Sequence, residues 1–216
     1  MDREIKNSGV YETAEDLTVF IFTFDNSRSI AAVLDSFASQ ELDKIKVVII
    51  DNESWDGTPE QIQGALKNKW YLKPNFAIDL DIKLITVPRV SPNRADNIVN
   101  NMKKLLEIVD TPFFMRIDSD ILLSPNSLKP MLAMFKENEN LSMLALRYCP
   151  KKDHIPTDCT MFRTEDARKV VWQWGIDKKD GQGWGCDCVN AFNQLNGLGK
   201  DVMWHPDLRV RHVKFL

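Results

Sequence analysis

Short apolar runs of strand length alternate with segments of helical period through the first half of this chain. Leu17–Phe24 and Ile45–Asp51 have the length and composition of buried strands, and apolar residues recur at helical spacing over 30–37 between them. A strand, a helix and a second strand in this order predict a right-handed crossover between parallel strands. The pattern therefore predicts an α/β fold with a mixed, mostly parallel sheet flanked by helices.

The rest of the chain continues this pattern less regularly. A helix is predicted to start at Thr58, because Pro59 suits the first helical position and Gln61 completes a capping box. No internal repeat or low-complexity linker divides residues 1–216, so a single domain is predicted. The later predicted elements are strands at Ile82–Val87, before Asp118, near Leu141–Leu146 and near Thr160–Arg163, and helices at Asn93–Val109, Leu128–Glu137, Glu165–Trp174 and Asp187–Leu195.

The apolar run that starts at Phe113 ends in two carboxylates, Asp118 and Asp120. Ligands of open α/β sheets gather outside the carboxyl ends of the strands, so both acids are predicted to face one binding crevice. Hard oxygen ligands suit Mg²⁺ or Mn²⁺, ions that commonly bridge protein carboxylates to phosphates. The pair therefore predicts a divalent cation and a nucleotide diphosphate, and a solvated turn is the alternative.

Charge and hydropathy exclude some classes of partner. A net charge of −3 and a sequence pI near 5.7 give no electrostatic reason for nonspecific binding to nucleic acid or anionic membranes. No apolar run approaches the roughly 20 residues that span a bilayer, so no integral membrane segment is expected. The polar start Met1–Lys6 lacks a secretory h-region, and a cytoplasmic location is expected.

The cysteines do not form a recognisable scaffold. Cys149, Cys159, Cys186 and Cys188 are too few for a disulfide framework in 216 residues, and reduced thiols are expected. Together with His154 they offer ligands for zinc, but their spacings fit no standard zinc module.

Four segments, in order, resemble the nucleotide-sugar-dependent glycosyltransferases of the GT-A fold, most closely family 2. Five of the eight motif positions in the second segment agree with the family pattern, in which a second aspartate stands where this chain has Asn52. The resemblance implies a GT-A fold with a nucleotide-binding half at about 17–120 and an acceptor-side half at about 121–216. The segments are Thr23-Phe24-Asp25, Asp51–Thr58, the Asp-x-Asp (DXD) motif at Asp118–Asp120, and Gly183–Asp187 followed by His205–His212.

The resemblance and the chemistry of the residues together assign a donor site. Asp51 offers a carboxylate that accepts the N3–H of uracil, and a turn aspartate is the alternative. Thr23 and Asp25 are expected to flank the base and ribose. Arg94 and Asn97 lie where the family carries nucleotide-contacting residues, with an exposed helix face as an equal alternative.

The metal site is predicted from three side chains. In the resembling enzymes the second acid of the motif ligates the cation directly, while the first contacts ribose or metal-bound water. Asp120 is accordingly the expected ligand of Mn²⁺ or Mg²⁺, with Asp118 beside it. His212 matches a family histidine that completes the coordination or contacts the diphosphate, and neutral imidazole is a suitable ligand.

Asp187 is the predicted catalytic base. Transfer with inversion needs a carboxylate that removes the proton from the acceptor hydroxyl. The alternative is that Asp187 only opens a helix, where the helix dipole favours a negative charge. Trp184 is predicted to offer its ring to the acceptor. Two other pieces are predicted to be structural, namely the turn and cap at Asp56–Thr58 and the packing residue His205.

These residues predict an enzyme, a metal-dependent glycosyltransferase that moves a sugar from a UDP-sugar to an acceptor hydroxyl, with inversion. A sugar-1-phosphate nucleotidyltransferase is one alternative, although the segment after the first strand lacks the glycine-rich phosphate loop of that class. A noncatalytic nucleotide-sugar-binding protein is another. A glycan, a protein, a small molecule and a modified nucleobase all remain possible acceptors.

Overall fold

A computed structural model describes residues 14–42, 44–68, 79–147, 155, 157–176 and 185–213. The strands are β1 (Leu17–Thr23), β2 (Lys44–Asp51), β3 (Asp79–Thr86), β4 (Phe113–Asp118), β5 (Ile121–Leu123), β6 (Leu141–Arg147), β7 (Cys159–Arg163), β8 (Gly175–Ile176), β9 (Gly185–Cys186) and β10 (Asp201–His212). The α-helices are α1 (Ile30–Phe37), α2 (Thr58–Asn68), α3 (Arg94–Ile108), α4 (Leu128–Glu137), α5 (Thr164–Ala167) and α6 (Asp187–Gly197).

Eight strands form one sheet in the order β3-β2-β1-β4-β7-β6-β10-β5. Strands β3, β2, β1 and β4 are parallel neighbours, and β6 is parallel to β10. Strand β7 runs antiparallel to β4 and β6, and β5 runs antiparallel to β10. The predicted mixed, mostly parallel sheet is therefore confirmed. Strands β8 and β9 form a separate antiparallel pair.

Helices cover both faces of the sheet. All seven residues of β1 are buried, and successive side chains belong to different cores. Val19 packs with apolar residues of α1, α2 and α4 on one face, while Phe20 packs with residues of α3 and α6 on the other. A strand covered on both sides has no solvent-facing positions, so it reads as a continuous apolar run.

Strand register brings the predicted site residues to one edge of the sheet. Thr23 at the end of β1 lies opposite Asp51 at the end of β2. On the other side of β1, Phe22 lies opposite Asp118 at the end of β4. Since parallel strands end at the same edge, these residues are neighbours although the sequence separates them widely.

One predicted helix is much shorter in the structure. The helix expected at Glu165–Trp174 ends at Ala167. Trp172 turns into the core and its indole Nε1 donates to the carbonyl of Ala167 at 3.0 Å, so that carbonyl does not continue a helical ladder. His205 lies within β10, whose register shifts between Trp204 and Arg209. An irregularity there suits Pro206, which has no N–H to donate.

No helix among the described residues is long and apolar enough to cross a membrane.

Asp166 is a buried carboxylate held by two lysines and a serine. Its side chain is fully buried and accepts hydrogen bonds from Lys169 at 2.7 Å, Ser142 at 2.6 Å and Lys200 at 3.0 Å. Burial opposes the charge, but these bonds outweigh it and lower the pKa of Asp166 from 3.8 to about 2. The ionised carboxylate therefore stabilises the fold at neutral pH, and this contribution is lost as the pH falls through about 2.

Replacing Asp166 with asparagine is expected to lower the free energy of unfolding at pH 7 by about 2 kcal/mol. Urea unfolding followed by circular dichroism measures this difference, which should shrink when the experiment is repeated near pH 3. Asp110→Asn is the matched control, because Asp110 forms an exposed ion pair with Lys46 and such pairs contribute little. Equal stability of Asp166→Asn and wild type at pH 7 would contradict the assignment.

Candidate active site

Two adjoining cavities open at the carboxyl edge of the sheet. The first, here called the strand-end cavity, has a volume of about 440 Å³ and contains both acids of the Asp-x-Asp motif. The second, here called the Asp187 cavity, has a volume of about 340 Å³. Residues Arg94, Ile98 and Asp118 line both. A molecule in one cavity therefore contacts the wall of the other.

The acids of the motif lie in different surroundings. Asp118 accepts hydrogen bonds from Arg94 Nη2 at 3.1 Å and from Arg116 Nη2 at 3.1 Å. Asp120 Oδ2 lies 3.2 Å from His212 Nε2, while its Oδ1 is buried and has no hydrogen-bond partner. Burial and the neighbouring Asp118 charge raise the pKa of Asp120, since a second negative charge is unfavourable there.

These residues fit a divalent cation. The unsatisfied Asp120 Oδ1 is a hard oxygen ligand, and the pairing of β5 with β10 places His212 opposite Ile121, next to that carboxylate. Within the described residues, no group of three ligand side chains is close enough to hold an ion by itself. Phosphate oxygens of a substrate would therefore supply part of the coordination.

The backbone around the motif is fixed by neighbouring elements. Ser119 donates its N–H to the Phe22 carbonyl at 3.1 Å, and Val213 donates to the Asp120 carbonyl at 2.7 Å. The buried Ser119 hydroxyl also accepts from Asn26 Nδ2 at 2.6 Å. The two carboxylates are therefore presented by a loop whose position is set by β1 and β10.

Asp187 is the first residue of α6, as predicted, and its side chain lies in the wall of the second cavity. It is only 4% exposed. Its Oδ2 accepts from Arg116 Nη1 at 2.6 Å and from the Thr157 hydroxyl at 2.8 Å. Among the described residues no donor contacts its other oxygen, Oδ1. Arg116 and Thr157 thus orient the carboxylate through one of its oxygens.

Arg116 and Thr157 both contact Asp187, and the motifs did not reveal them. Arg116 is 2% exposed and binds Asp187 and Asp118 with different nitrogens, while Nη1 also donates to Thr157. Burial disfavours its charge, but Asp187, Asp118 and Asp158 outweigh this effect and raise the pKa of Arg116. The sequence signal for Arg116 was an arginine within an apolar strand, because a buried charge requires partners.

The predicted donor residues differ in how they face the strand-end cavity. Thr23 lines it, and its buried hydroxyl has no hydrogen-bond partner, which leaves it available to a ligand. Asp25 is not among the lining residues. Its carboxylate accepts from the backbone N–H of Trp55 at 3.0 Å and from the indole of the same residue. Asp25 therefore organises the neighbouring turn.

Asp51 and Asn52 also differ in whether they line the strand-end cavity. Asp51 is buried and does not line the cavity, and its two oxygens accept from the N–H and hydroxyl of Ser54. Asn52 does line it. Its side chain exchanges two hydrogen bonds with Asn101, at 3.0 and 2.6 Å, and donates to the Val87 carbonyl. The sequence signal for Asn52 was its place in the motif, where the family pattern has a second aspartate.

The two predicted residues of α3 both line the strand-end cavity. Arg94 is largely exposed and reaches Asp118. Asn97 instead uses its side chain on the preceding loop, where it accepts from Val90 N–H and donates to the carbonyls of Ser91 and Asn93. Arg94 is thus paired with Asp118, and Asn97 fixes the cavity wall.

The structure confirms the turn at Asp56–Thr58 and the packing position of His205, but the residue that caps the turn differs. His205 is 7% exposed, and its Nδ1 accepts from the N–H groups of Asp207 and Leu208. The turn before α2 is capped by Asp56, which accepts from the N–H and hydroxyl of Thr58. The predicted cap was Thr58, but its hydroxyl bridges Asp56 and the Asn26 N–H instead.

Several predicted residues lie outside the described part of the chain, namely Trp184, Cys149 and His154. Cys159 is a free, buried thiol, which agrees with the expected reduced state. Cys188 is disulfide-bonded, so that expectation is wrong at this position.

The profile of glycosyl transferase family 2 matches residues 18–184, which is most of the chain. A search of curated proteins gives no significant match. Similar solved structures include the mannosyltransferase PcManGT from Pyrobaculum calidifontis in complex with GDP-Man and Mn²⁺. It has a TM-score of 0.67 at 16% identity, over 92% of this chain and 57% of that chain.

Two further structures have a similar fold. TarS 1-349 from S. aureus in complex with UDP has a TM-score of 0.62 at 18% identity, over 90% of this chain and 59% of that chain. A197 from STIV has a TM-score of 0.53 at 12% identity, over 92% of this chain and 86% of that chain. The chain thus spans less than two thirds of the PcManGT and TarS chains. The sheet topology and the family match lead to one conclusion: the chain belongs to glycosyl transferase family 2 and has the GT-A fold.

Proposed function

We propose that this chain transfers a sugar from a UDP-sugar to an acceptor hydroxyl, with a divalent cation and with inversion. The observation that carries the proposal is the Arg116 bridge between Asp118 and Asp187. It holds the Asp-x-Asp motif and a buried carboxylate in adjoining cavities. In this proposal the motif binds the cation at the leaving diphosphate, and the carboxylate is the base. PcManGT with GDP-Man and Mn²⁺ and TarS with UDP-GlcNAc support a nucleotide-sugar donor.

The donor is proposed to lie along the strand-end cavity. Its base occupies the end lined by Thr23, Asn52 and Asn101. Its diphosphate lies at Asp118 and Asp120. Mn²⁺ or Mg²⁺ held there by Asp120 and His212, with Asp118 beside it, would neutralise the charge that develops on the leaving diphosphate. Arg94 lies close enough to Asp118 to add a second positive charge at this end.

Asp187 acts as the base in this proposal. The acceptor oxygen forms a bond to the anomeric carbon as the bond from that carbon to the diphosphate oxygen breaks, with its electron pair leaving on the diphosphate. The acceptor proton passes to Asp187 Oδ1. Arg116 and Thr157 hold Oδ2, so the carboxylate cannot rotate away, and attack opposite the leaving group inverts the anomeric configuration.

A donor screen tests this function directly. Each UDP-sugar is incubated with Mn²⁺ and pools of candidate acceptors, released UDP is measured, and products are identified by mass spectrometry. Release of UDP together with an acceptor heavier by one sugar residue is the expected result. Transfer of a nucleotidyl group, detected as release of pyrophosphate from UTP and a sugar phosphate, would contradict it.

The nucleotide base is the second measurable property. The side chain of Asn52 can accept the N3–H of uracil, and the adjoining Asn101 has a further N–H for a uracil carbonyl. UDP is therefore expected to bind more tightly than CDP, GDP or ADP. Asn52→Asp should increase the ratio of UDP to CDP affinity by about tenfold, because a carboxylate only accepts and repels the cytosine N3 acceptor.

Asp51→Asn is the control for this measurement. If Asn52 contacts the base, Asp51→Asn should weaken the turn at Ser54 and leave the ratio of UDP to CDP affinity unchanged. A changed ratio in Asp51→Asn would return uracil recognition to Asp51, as the sequence suggested. Calorimetric titration of the four diphosphates in the presence of Mn²⁺ distinguishes these results, and tightest binding of a purine diphosphate would contradict both assignments.

A further inference from the structure

We propose that the Asp187 cavity is the acceptor site and that it takes a neutral sugar ring, packed on the indole of Trp174. This inference rests on the proposed glycosyl transfer and names the acceptor class for it. Trp174 is 38% exposed and lines the cavity together with the base. The residues that carry the argument are Trp174, Asp187, Asp158, Asn93, Arg94 and Arg116.

The position of Trp174 is set by the same helix that carries Asp187. From α6, Asn190 Nδ2 donates to the carbonyls of Val171 and Gln173, at 2.9 and 3.2 Å. Gln194, one turn further along, accepts from the Val171 N–H and donates to its carbonyl. The loop before Trp174 and the helix that begins at Asp187 are thus held together by hydrogen bonds.

Trp172 and Trp174 have opposite environments although one residue separates them. Trp172 is 5% exposed, contacts the ring of Phe162 edge-on at 5.8 Å and belongs to the core. Because Trp172 fills that core position, packing does not explain the exposed ring of Trp174. An exposed indole in a concave wall offers a flat apolar surface, which suits the C–H face of a pyranose.

The polar wall suits hydroxyl groups. Asp187 and Asp158 are acceptors for sugar O–H groups, and the side chain of Asn93 adds an amide, although its Oδ1 already caps α3. A few directed polar groups opposite an aromatic surface fix the orientation of a ligand. Oδ1 of Asp187 is the oxygen that would receive the proton of the attacking hydroxyl.

The charge of the cavity favours a neutral acceptor. Asp118, Asp158 and Asp187 outnumber the two guanidinium groups in its wall. Arg116 is bound to Asp187 and Asp118, and Arg94 reaches Asp118. A phosphate or carboxylate on the acceptor would therefore meet a negative surface whose cations are already paired. Among glycan, protein, small-molecule and nucleobase acceptors, the wall best matches an uncharged glycan terminus.

The test measures acceptor binding apart from turnover. The six tryptophans are labelled with 5-fluorotryptophan, and the ¹⁹F resonance that disappears in Trp174→Phe is assigned to Trp174. The protein is saturated with UDP and Mn²⁺, and methyl glycosides of neutral hexoses and N-acetylhexosamines are added. Uronic acid and sugar-phosphate counterparts and a nucleoside form the comparison set. The Trp174 resonance is expected to shift with a neutral glycoside and not with its anionic counterparts.

Kinetics with the best acceptor give the second readout. Trp174→Ala should raise the acceptor KM at least about tenfold with kcat within a few-fold, and Trp174→Phe should retain most of the affinity. Val171→Ala is the matched control, since Val171 is an exposed apolar residue of the same loop that does not line the cavity. Its acceptor KM should equal that of wild type.

The outcomes separate the two proposals. Failure of UDP and Mn²⁺ to bind wild type would overturn the proposed donor site and this inference with it. Normal UDP binding combined with an unmoved Trp174 resonance, an unchanged KM in Trp174→Ala, or a preference for an anionic acceptor would overturn the acceptor assignment alone.

Discussion

Replacing Asp187 with asparagine is expected to lower sugar transfer by about 10² or more while UDP and Mn²⁺ bind nearly as in wild type. The amide keeps the size of the side chain but cannot take the proton of the attacking hydroxyl. Arg116 loses one of its carboxylates and retains Asp118, so the buried guanidinium is still paired. The measurement compares kcat for transfer with calorimetric affinities for UDP in the two proteins.

A loss of stability must be separated from a loss of chemistry in that comparison. Asp166→Asn is the matched control, because it also removes a buried carboxylate bonded to cations, at a site outside both cavities. It should lower stability and leave kcat near the wild-type value. Wild-type transfer by Asp187→Asn would place the base elsewhere or indicate a retaining reaction.

Replacing Asp120 with alanine is expected to weaken UDP binding in the presence of Mn²⁺ by at least about tenfold, a loss of roughly 1.4 kcal/mol, and to reduce transfer with it. The change removes the unsatisfied Oδ1 and the partner of His212. With chelator present, the variant should bind UDP no more weakly than wild type, since it lacks a negative charge near the diphosphate. Calorimetry with metal and with chelator measures both differences.

The same variant is not expected to unfold more easily. Burial and Asp118 raise the pKa of Asp120, so the ionised carboxylate is unfavourable in the metal-free protein at neutral pH. The melting temperature of Asp120→Ala without metal should therefore equal or exceed that of wild type. Equal UDP affinity in wild type and variant, with and without metal, would remove the cation from the mechanism.

Local pattern predicted most of the fold, because buried parallel strands carry an apolar run that can be recognised one strand at a time. Leu128–Glu137 is a helix with the predicted bounds, and β1, β2 and β4 end within one residue of their predicted ends. The helix predicted to reach Trp174 failed for a tertiary reason. Its apolar spacing is real, but Trp172 packs against Phe162 in the core instead of extending a helical face.

The site was predictable to the extent that its residues end strands or begin helices. Asp118, Asp120 and Asp187 line the two cavities, and His212 contacts Asp120. The sequence pattern could not show which of Asp51 and Asn52 lines the strand-end cavity. Adjacent residues at a strand end face opposite ways, so a shift of one residue exchanges them. Arg116 can be recognised in the sequence as a charge within an apolar strand, but its partner Asp187 lies 71 positions away along the chain.

The shared guanidinium of Arg116 also has a thermodynamic consequence. Its two terminal nitrogens bind Asp118, which lines both cavities, and Asp187, which lines only the second, so whatever neutralises Asp118 changes the field at Asp187, and the reverse is equally true. Linkage requires the two effects to be equal. If the bound donor changes the affinity for the acceptor by some factor, the bound acceptor changes the affinity for the donor by the same factor. The proposed donor and acceptor affinities are therefore coupled through one side chain of β4, at the boundary between the cavities.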